Sequence, residues 1–191
     1  MARSNSIRII GGAFRGRRLG FPDAPGLRPT ADRLRETLFN WLQGQTEGAD
    51  CLDLFAGSGA LGLEALSRGA KTVRFVDQSR TVIRQLDQNL QLLDAKDRSE
   101  VISTDAMRLL RREADRQFDI VFLDPPFASD WLAQACENLE HNGWLKPRSW
   151  IYLEQDNHRD WPVLPDSWHS HRQARAGQAA CALLRRDIIS G

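Results

Sequence analysis

A chain of 191 residues, 41% hydrophobic and 27% charged, can bury one sizeable core but hardly two. No apolar run approaches the roughly 18 residues that suggest a membrane span, and the opening MARSNSIRII is too poor in apolar residues for a signal peptide, so a soluble, cytoplasmic protein is expected. Cys51, Cys136 and Cys181 lie far apart, without the spacing of a zinc or redox motif, which predicts small buried thiols in a reducing compartment and no metal.

The net charge of +1 conceals a segregation along the chain. Residues 1–40 carry eight arginines (Arg3, Arg8, Arg15, Arg17, Arg18, Arg28, Arg33, Arg35) against Asp23, Asp32 and Glu36, whereas the remainder holds 18 basic and 22 acidic side chains. Arginine suits bidentate phosphate contacts and stacking on bases, so the arm is expected to meet nucleic acid; a solvated face rich in arginine is the plainer alternative. The stretch IRIIGGAFRGRRLGF alternates and is punctuated by glycines 11, 12, 16 and 20, the pattern of a short β-hairpin or meander. After GLRPT, Thr30 is placed to cap a helix over ADRLRETLFNWL, where Leu34, Leu38, Phe39 and Leu42 recur at helical spacing.

From Asp50 the pattern becomes strand and helix in turn. Strands are predicted over 51–56, 72–77, 99–104, 119–124 and 149–154, with helices over 60–68, 79–93, 105–115 and 129–141, and a last, antiparallel strand over 178–186. Short apolar strands separated by amphipathic helices imply a doubly wound α/β fold with a mostly parallel sheet. The run RLLRREADR (108–116) reads as a solvated helix face with ion pairs at helical spacing. WHSHRQ, with His169 and His171, reads as surface or loop, and the tryptophans at 144, 150, 161 and 168 as packing for the last strands.

In such a sheet, ligands bind beyond the carboxyl ends of the strands, and the chemistry-bearing residues fall there. DLFAGSGALG follows the first strand, with Gly57 and Gly59 for a tight turn and close backbone approach. Asp77 follows twenty residues after Gly57, at the distance expected for ribose hydroxyls; Asp105 and Asp124 come after the next two strands. Each acid has the alternative of capping the following helix, and for Asp105, followed at once by AMRLL, that reading stands level with a ligand role. GSGALG also satisfies the dinucleotide pattern, but Asp53 and the unit DPPF (Asp124, Pro125, Pro126, Phe127) are not demanded by a pyrophosphate. They fit S-adenosylmethionine, whose amino-acid part needs polar partners near the first strand.

Residues 50–127 resemble the class I S-adenosylmethionine-dependent methyltransferases, and DPPF resembles the signature of those that methylate exocyclic amino groups. Together with IRIIGGAFRGRRL, LRPTADRLRETLFNWL, LDLFAGSGALGLEALSRGA, FVDQS and FDIVFLDPPF, the chain resembles the bacterial small-subunit ribosomal RNA guanine-N2 methyltransferases over its first two thirds. The resemblance implies a Rossmann-like sheet of seven strands ending in an antiparallel hairpin, with a basic arm over 1–28 and a methyltransferase domain over 29–191, residues 29–49 forming its leading helix and linker. It implies cofactor contacts at Asp53, Phe55, Gly57, Gly59, Asp77, Asp105 and Ala106, with Thr30 in the segment that closes the pocket. It implies RNA contacts at Arg8, Arg15, Arg17, Arg18 and Arg28, the partner being ribosomal RNA, possibly in the assembled or assembling subunit, with no membrane and no metal.

The guanine amino group is a poor nucleophile because its lone pair is delocalised into the ring. Acceptors aimed at its two hydrogens free that pair for attack; Asp124 and the Pro125 carbonyl are the candidates, held by the fixed φ of consecutive prolines, and Phe127 offers a face for stacking, worth about 1–3 kcal/mol per base. Two alternatives stay open: an amino-group methyltransferase acting on DNA adenine or cytosine or on protein glutamine, and a non-catalytic RNA-binding assembly factor.

Overall fold

The alternation predicted from Asp50 onward folds into one seven-stranded sheet, preceded by a separate two-stranded hairpin. A computed structural model describes residues 5–22, 32–127 and 129–187. In chain order the elements are β1 (Ser6–Arg8), β2 (Arg18–Gly20), α1 (Asp32–Trp41), β3 (Asp50–Asp53), α2 (Ala60–Ser67), β4 (Thr72–Asp77), α3 (Arg80–Leu92), β5 (Ser99–Ser103), α4 (Ala106–Leu110), β6 (Phe118–Leu123), α5 (Trp131–His141), β7 (Leu145–Asp156), β8 (Trp168–Ala176) and β9 (Ala179–Arg186).

The spatial order β5-β4-β3-β6-β7-β9-β8 puts the reversal of strand order between β3 and β6, and it is there that a parallel sheet opens a crevice at its carboxyl edge. Strands β3 to β7 pair in parallel, while β9 runs antiparallel to both β7 and β8. Alternation sorts the core into two layers. Ile120 and Phe122 pack with α1, α2 and α3, whereas Val121 and Leu123 pack with α4 and α5. Both faces are covered, which is why these strands read as continuous apolar runs. The three cysteines are buried and free, and burial pushes the Cys136 thiol up to about 12 and the Cys181 thiol to about 11.

Four sequence readings need correction. The first strand stops at Asp53 rather than residue 56, because the chain turns at once into the glycine loop. Helix α4 ends at Leu110 rather than 115: Asn142 donates from Nδ2 to the Leu110 carbonyl at 2.7 Å, closing the helix. Beyond it, Asp115 accepts two bonds from Arg74 of β4, at 2.6 and 2.7 Å, and Arg116 pairs with Glu100 of β5. The RLLRREADR pairs therefore cross elements instead of following helical spacing. WHSHRQ is no loop but the start of edge strand β8, where His169 pairs with Asp187 and His171 packs edge-on against Trp150. Its side chains are mostly exposed and polar, as suits an unpaired sheet edge, so it lacks the alternation that marks a half-buried strand.

The hairpin packs on the main core through Ile7, Ile9 and Leu19. Glu64 of α2, fully buried, accepts from the Ile10 and Gly11 amides, both at 2.8 Å, and also binds Arg68. Ser67 accepts from the amides of Ala13, through its carbonyl, and of Phe14, through its hydroxyl. Gly12 adopts φ +76, and a Cβ there would come within 1.9 Å of the Ser67 carbonyl oxygen, so only glycine fits the turn. The helix that follows the glycine loop thus also holds the arm on its last turn, about 12 Å away along its axis.

Candidate active site

The carboxyl edge of the parallel sheet is lined with acids. Strands β3 and β4 end on Asp53 and Asp77; Asp105 lies two residues past β5, Asp124 immediately follows β6, and Glu154 lies near the end of β7. Asp77 organises the glycine loop: its Oδ2 accepts from the Gly57 amide at 3.0 Å and its Oδ1 from the Ser79 amide at 2.8 Å. Gly59 has φ +76, and a Cβ on it would stand 2.3 Å from Leu86 Cδ2, so the loop closes against α3 only with glycine. Asp53 is buried, and its Oδ2 accepts from the Gly62 amide at 2.9 Å. Burial pushes its carboxyl up to about 7, against the Gly62 hydrogen bond; the Asp77 charge adds to the rise.

The Gly57 amide is thus turned onto a carboxylate, the wrong arrangement for cradling a pyrophosphate, which needs free N–H groups and positive surroundings. A rim of acids suits a ligand that carries positive charge and hydroxyls.

On the β5 side, Asp105 caps α4, accepting from the Arg108 amide at 2.6 Å, and Ala106 is buried beneath it. The capping alternative for Asp105 is therefore realised, and its other oxygen has no bond assigned to it among the described residues. Phe55 stacks on Trp131 at the start of α5, ring centroids 6.0 Å apart and planes within 15°.

The DPPF unit lies on the β6 and β7 side. Pro125 is buried, Pro126 exposed and Phe127 half-buried. The Pro126 carbonyl accepts from both the amide (2.9 Å) and the hydroxyl (2.7 Å) of Ser129, turning the chain toward α5. Arg159 braces the turn, donating to the Ser129 carbonyl and to Asp130. Pro125, Pro126, Phe127, Leu132, Glu154 and Arg159 are among the residues that line a cavity of about 380 Å³, within the size of a small-molecule site. Glu154 and Arg159 were not singled out from sequence. The signal for the first was available: an acid near the end of the apolar run SWIYLE, as Asp124 follows FDIVFL.

The arginines divide. Arg8, Arg15, Arg17 and Arg18 are exposed on the hairpin, and Arg8 stands directly opposite Arg18 across the ladder. Like charges placed so repel, and an anion between them relieves the repulsion. Arg35, counted with the basic arm, is instead fully buried, donating to the Arg8 carbonyl at 2.6 Å and to Asp32 at 2.8 Å, so it supports the hairpin and meets no phosphate. Arg28 and Thr30, and the boundary between the arm and the following domain, lie outside the described residues.

The family described as conserved hypothetical protein 95 matches residues 7–185. The chain belongs to that family. It is 48% identical over 184 residues to "Ribosomal RNA small subunit methyltransferase D" of Escherichia coli, covering 96% of this chain and 92% of that one. The protein of the same name from Haemophilus influenzae is 45% identical, over 90% of this chain and 89% of that one. A solved Escherichia coli structure assigned as a methyltransferase superposes with a TM-score of 0.88 at 47% identity, covering 96% of this chain and 99% of that one. The family match, over residues 7–185, takes in most of the hairpin together with the seven-stranded sheet.

Proposed function

We propose that this member of the family transfers a methyl group from S-adenosylmethionine to the exocyclic amino nitrogen of a guanine in small-subunit ribosomal RNA. The observation that carries the reading is Asp-Pro-Pro-Phe directly after β6, whose Pro125, Pro126 and Phe127 line a cavity shared with β7 and α5, in a chain whose curated relatives are named for methylating small-subunit ribosomal RNA.

S-adenosylmethionine, when bound, supplies a methyl group already activated on a sulfonium. The residues fit such a donor: Asp77 offers carboxylate lone pairs to ribose hydroxyls while its backbone contacts fix its orientation, and Asp53, Asp105, Phe55 and Ala106 border the same edge. Asp124 and the Pro125 carbonyl accept from the two amino hydrogens, leaving the nitrogen lone pair directed at the donor. Phe127 stacks on the base. Positioning of a weak nucleophile against an activated group accounts for most of the acceleration.

The target must leave its helix or loop stack to reach this cavity, and the flanking backbone must be gripped. Arg8, Arg15, Arg17 and Arg18 supply that grip, with Arg28 as a further candidate, in contacts that give affinity without sequence information.

The deciding experiment offers labelled S-adenosylmethionine with small ribosomal subunits, or their naked RNA, from cells lacking the gene, alongside DNA and total protein, and identifies the product by mass. Label in N2-methylguanosine of the RNA is expected. Label confined to DNA or protein, or none at all, contradicts the proposal.

A further inference from the structure

An acid-Pro-Pro-aromatic unit accepts from any planar amino group, so Asp124 alone does not separate guanine from adenine or cytosine. The three differ in the ring nitrogens beside the amino-bearing carbon. Guanine has one, N1, that carries a hydrogen and donates, besides the bare N3; in adenine and cytosine the single flanking ring nitrogen is a bare acceptor. A second acceptor next to Asp124 therefore selects guanine, and the neighbouring strand carries one.

Strands β6 and β7 pair in parallel with Leu123 opposite Leu153, so Asp124 and Glu154 are the next residues in register, on strands about 4.8 Å apart. Phe122 and Tyr152 share one face of the sheet, their rings 6.5 Å apart edge to face, and the period of two puts Asp124 and Glu154 on that same face. Glu154 is only 4% exposed, yet it lines the cavity together with Pro125 and Phe127. Its Oε2 accepts from the Tyr152 hydroxyl at 2.7 Å, whereas its Oε1 makes no hydrogen bond among the described residues. Glu154 lines the cavity, so Oε1 is open to a ligand there, and a carboxylate can only accept. The arrangement is a socket for a donor.

We infer that Glu154 Oε1 accepts the N1–H of the target guanine, with Tyr152 fixing the carboxyl through Oε2, so that Glu154 is the residue that selects guanine among amino-bearing bases. The inference rests on the guanine reading above. Burial raises the Glu154 carboxyl, opposed by the Tyr152 hydrogen bond, and a ring N–H on Oε1 adds a second contact favouring the charged form.

The test compares guanine with 2-aminopurine at the methylated position of the RNA, since 2-aminopurine keeps the amino group but has a bare ring nitrogen. Wild-type enzyme is expected to prefer guanine in kcat/KM by about 100-fold or more, because a site built for a donor rejects an analogue that lacks it. Glu154→Gln, whose amide can donate, is expected to shrink or reverse that preference, with S-adenosylmethionine affinity within about twofold of wild type. The ratio is taken within one preparation, so partial unfolding of the variant cancels. An unchanged ratio in Glu154→Gln, with N2-methylguanosine still formed on native subunits, overturns this inference alone. A wild-type product other than methylguanosine overturns the guanine reading and this inference with it.

Discussion

Asp77 Oδ2 accepts a hydrogen bond from the amide of Gly57, twenty residues earlier in the chain, so the acid proposed for the ribose also fixes the turn beneath it. Asp77→Ala removes one acceptor from the proposed ribose site. The structure adds a second cost, since the Gly57 and Ser79 amides both lose their acceptor. The variant is expected to lose about 1.5–3 kcal/mol of cofactor binding, roughly ten- to a hundredfold in calorimetric affinity, and to melt a few degrees lower. Unchanged affinity removes Asp77 from the cofactor site.

Arg15, Arg17 and Arg18 are exposed on the hairpin, so replacing all three by alanine leaves the core alone. The Michaelis constant for RNA should rise, and the slope of log affinity against log salt should flatten by roughly 2 units if all three contact phosphate. Cofactor affinity should not move. An unaltered slope assigns the RNA surface elsewhere.

Glu64 tests how the arm is held. Glu64→Ala leaves the Ile10 and Gly11 amides and Arg68 without their acceptor, a loss of about 2–4 kcal/mol. Limited trypsin digestion should then cut at Arg15, Arg17 or Arg18 well before the wild type is cut. Equal protection in both proteins shows that the apolar contacts of Ile7, Ile9 and Leu19 suffice.

Asp53 predicts a pH dependence. An unfolded aspartate titrates near 3.9, and burial pushes Asp53 up to about 7, so between those values the folded chain keeps a proton that the unfolded chain has released. Its contribution to stability therefore declines as pH rises through that window and is constant above it. Asp53→Asn keeps an oxygen for the Gly62 amide and cannot titrate. Its melting temperature relative to wild type should climb between about pH 5 and pH 8; a constant difference across that range contradicts the buried, proton-holding carboxyl.

The parallel core was legible because its strands are buried on both faces and its helices carry one apolar stripe. The candidate site residues, for cofactor and for catalysis, stand out in the sequence for a related reason: each parallel strand must end somewhere, and the acids and glycines of DLFAGSG, FVD and DPPF stand where the strands end. Three features were not legible. Strand β8 is a polar edge without alternation. The end of α4 depends on Asn142, 32 residues beyond Leu110, a contact no local pattern announces. Arg35 sits among surface arginines in the sequence, and only the fold turns its guanidinium inward toward Asp32 and the Arg8 carbonyl. Glu154 gained its meaning from the register of β6 against β7, which places it beside Asp124.

Asp124→Ala bears most directly on the central claim. The variant and wild type are compared in single-turnover methylation of small subunits from cells lacking the gene, with S-adenosylmethionine affinity measured by calorimetry on the same preparations. An acceptor aimed at the reacting amino group acts in the transition state, and its loss should slow transfer by about 100-fold or more while cofactor affinity stays within about twofold. Transfer at the wild-type rate would contradict amino-group activation by Asp124, and with it the proposed mechanism.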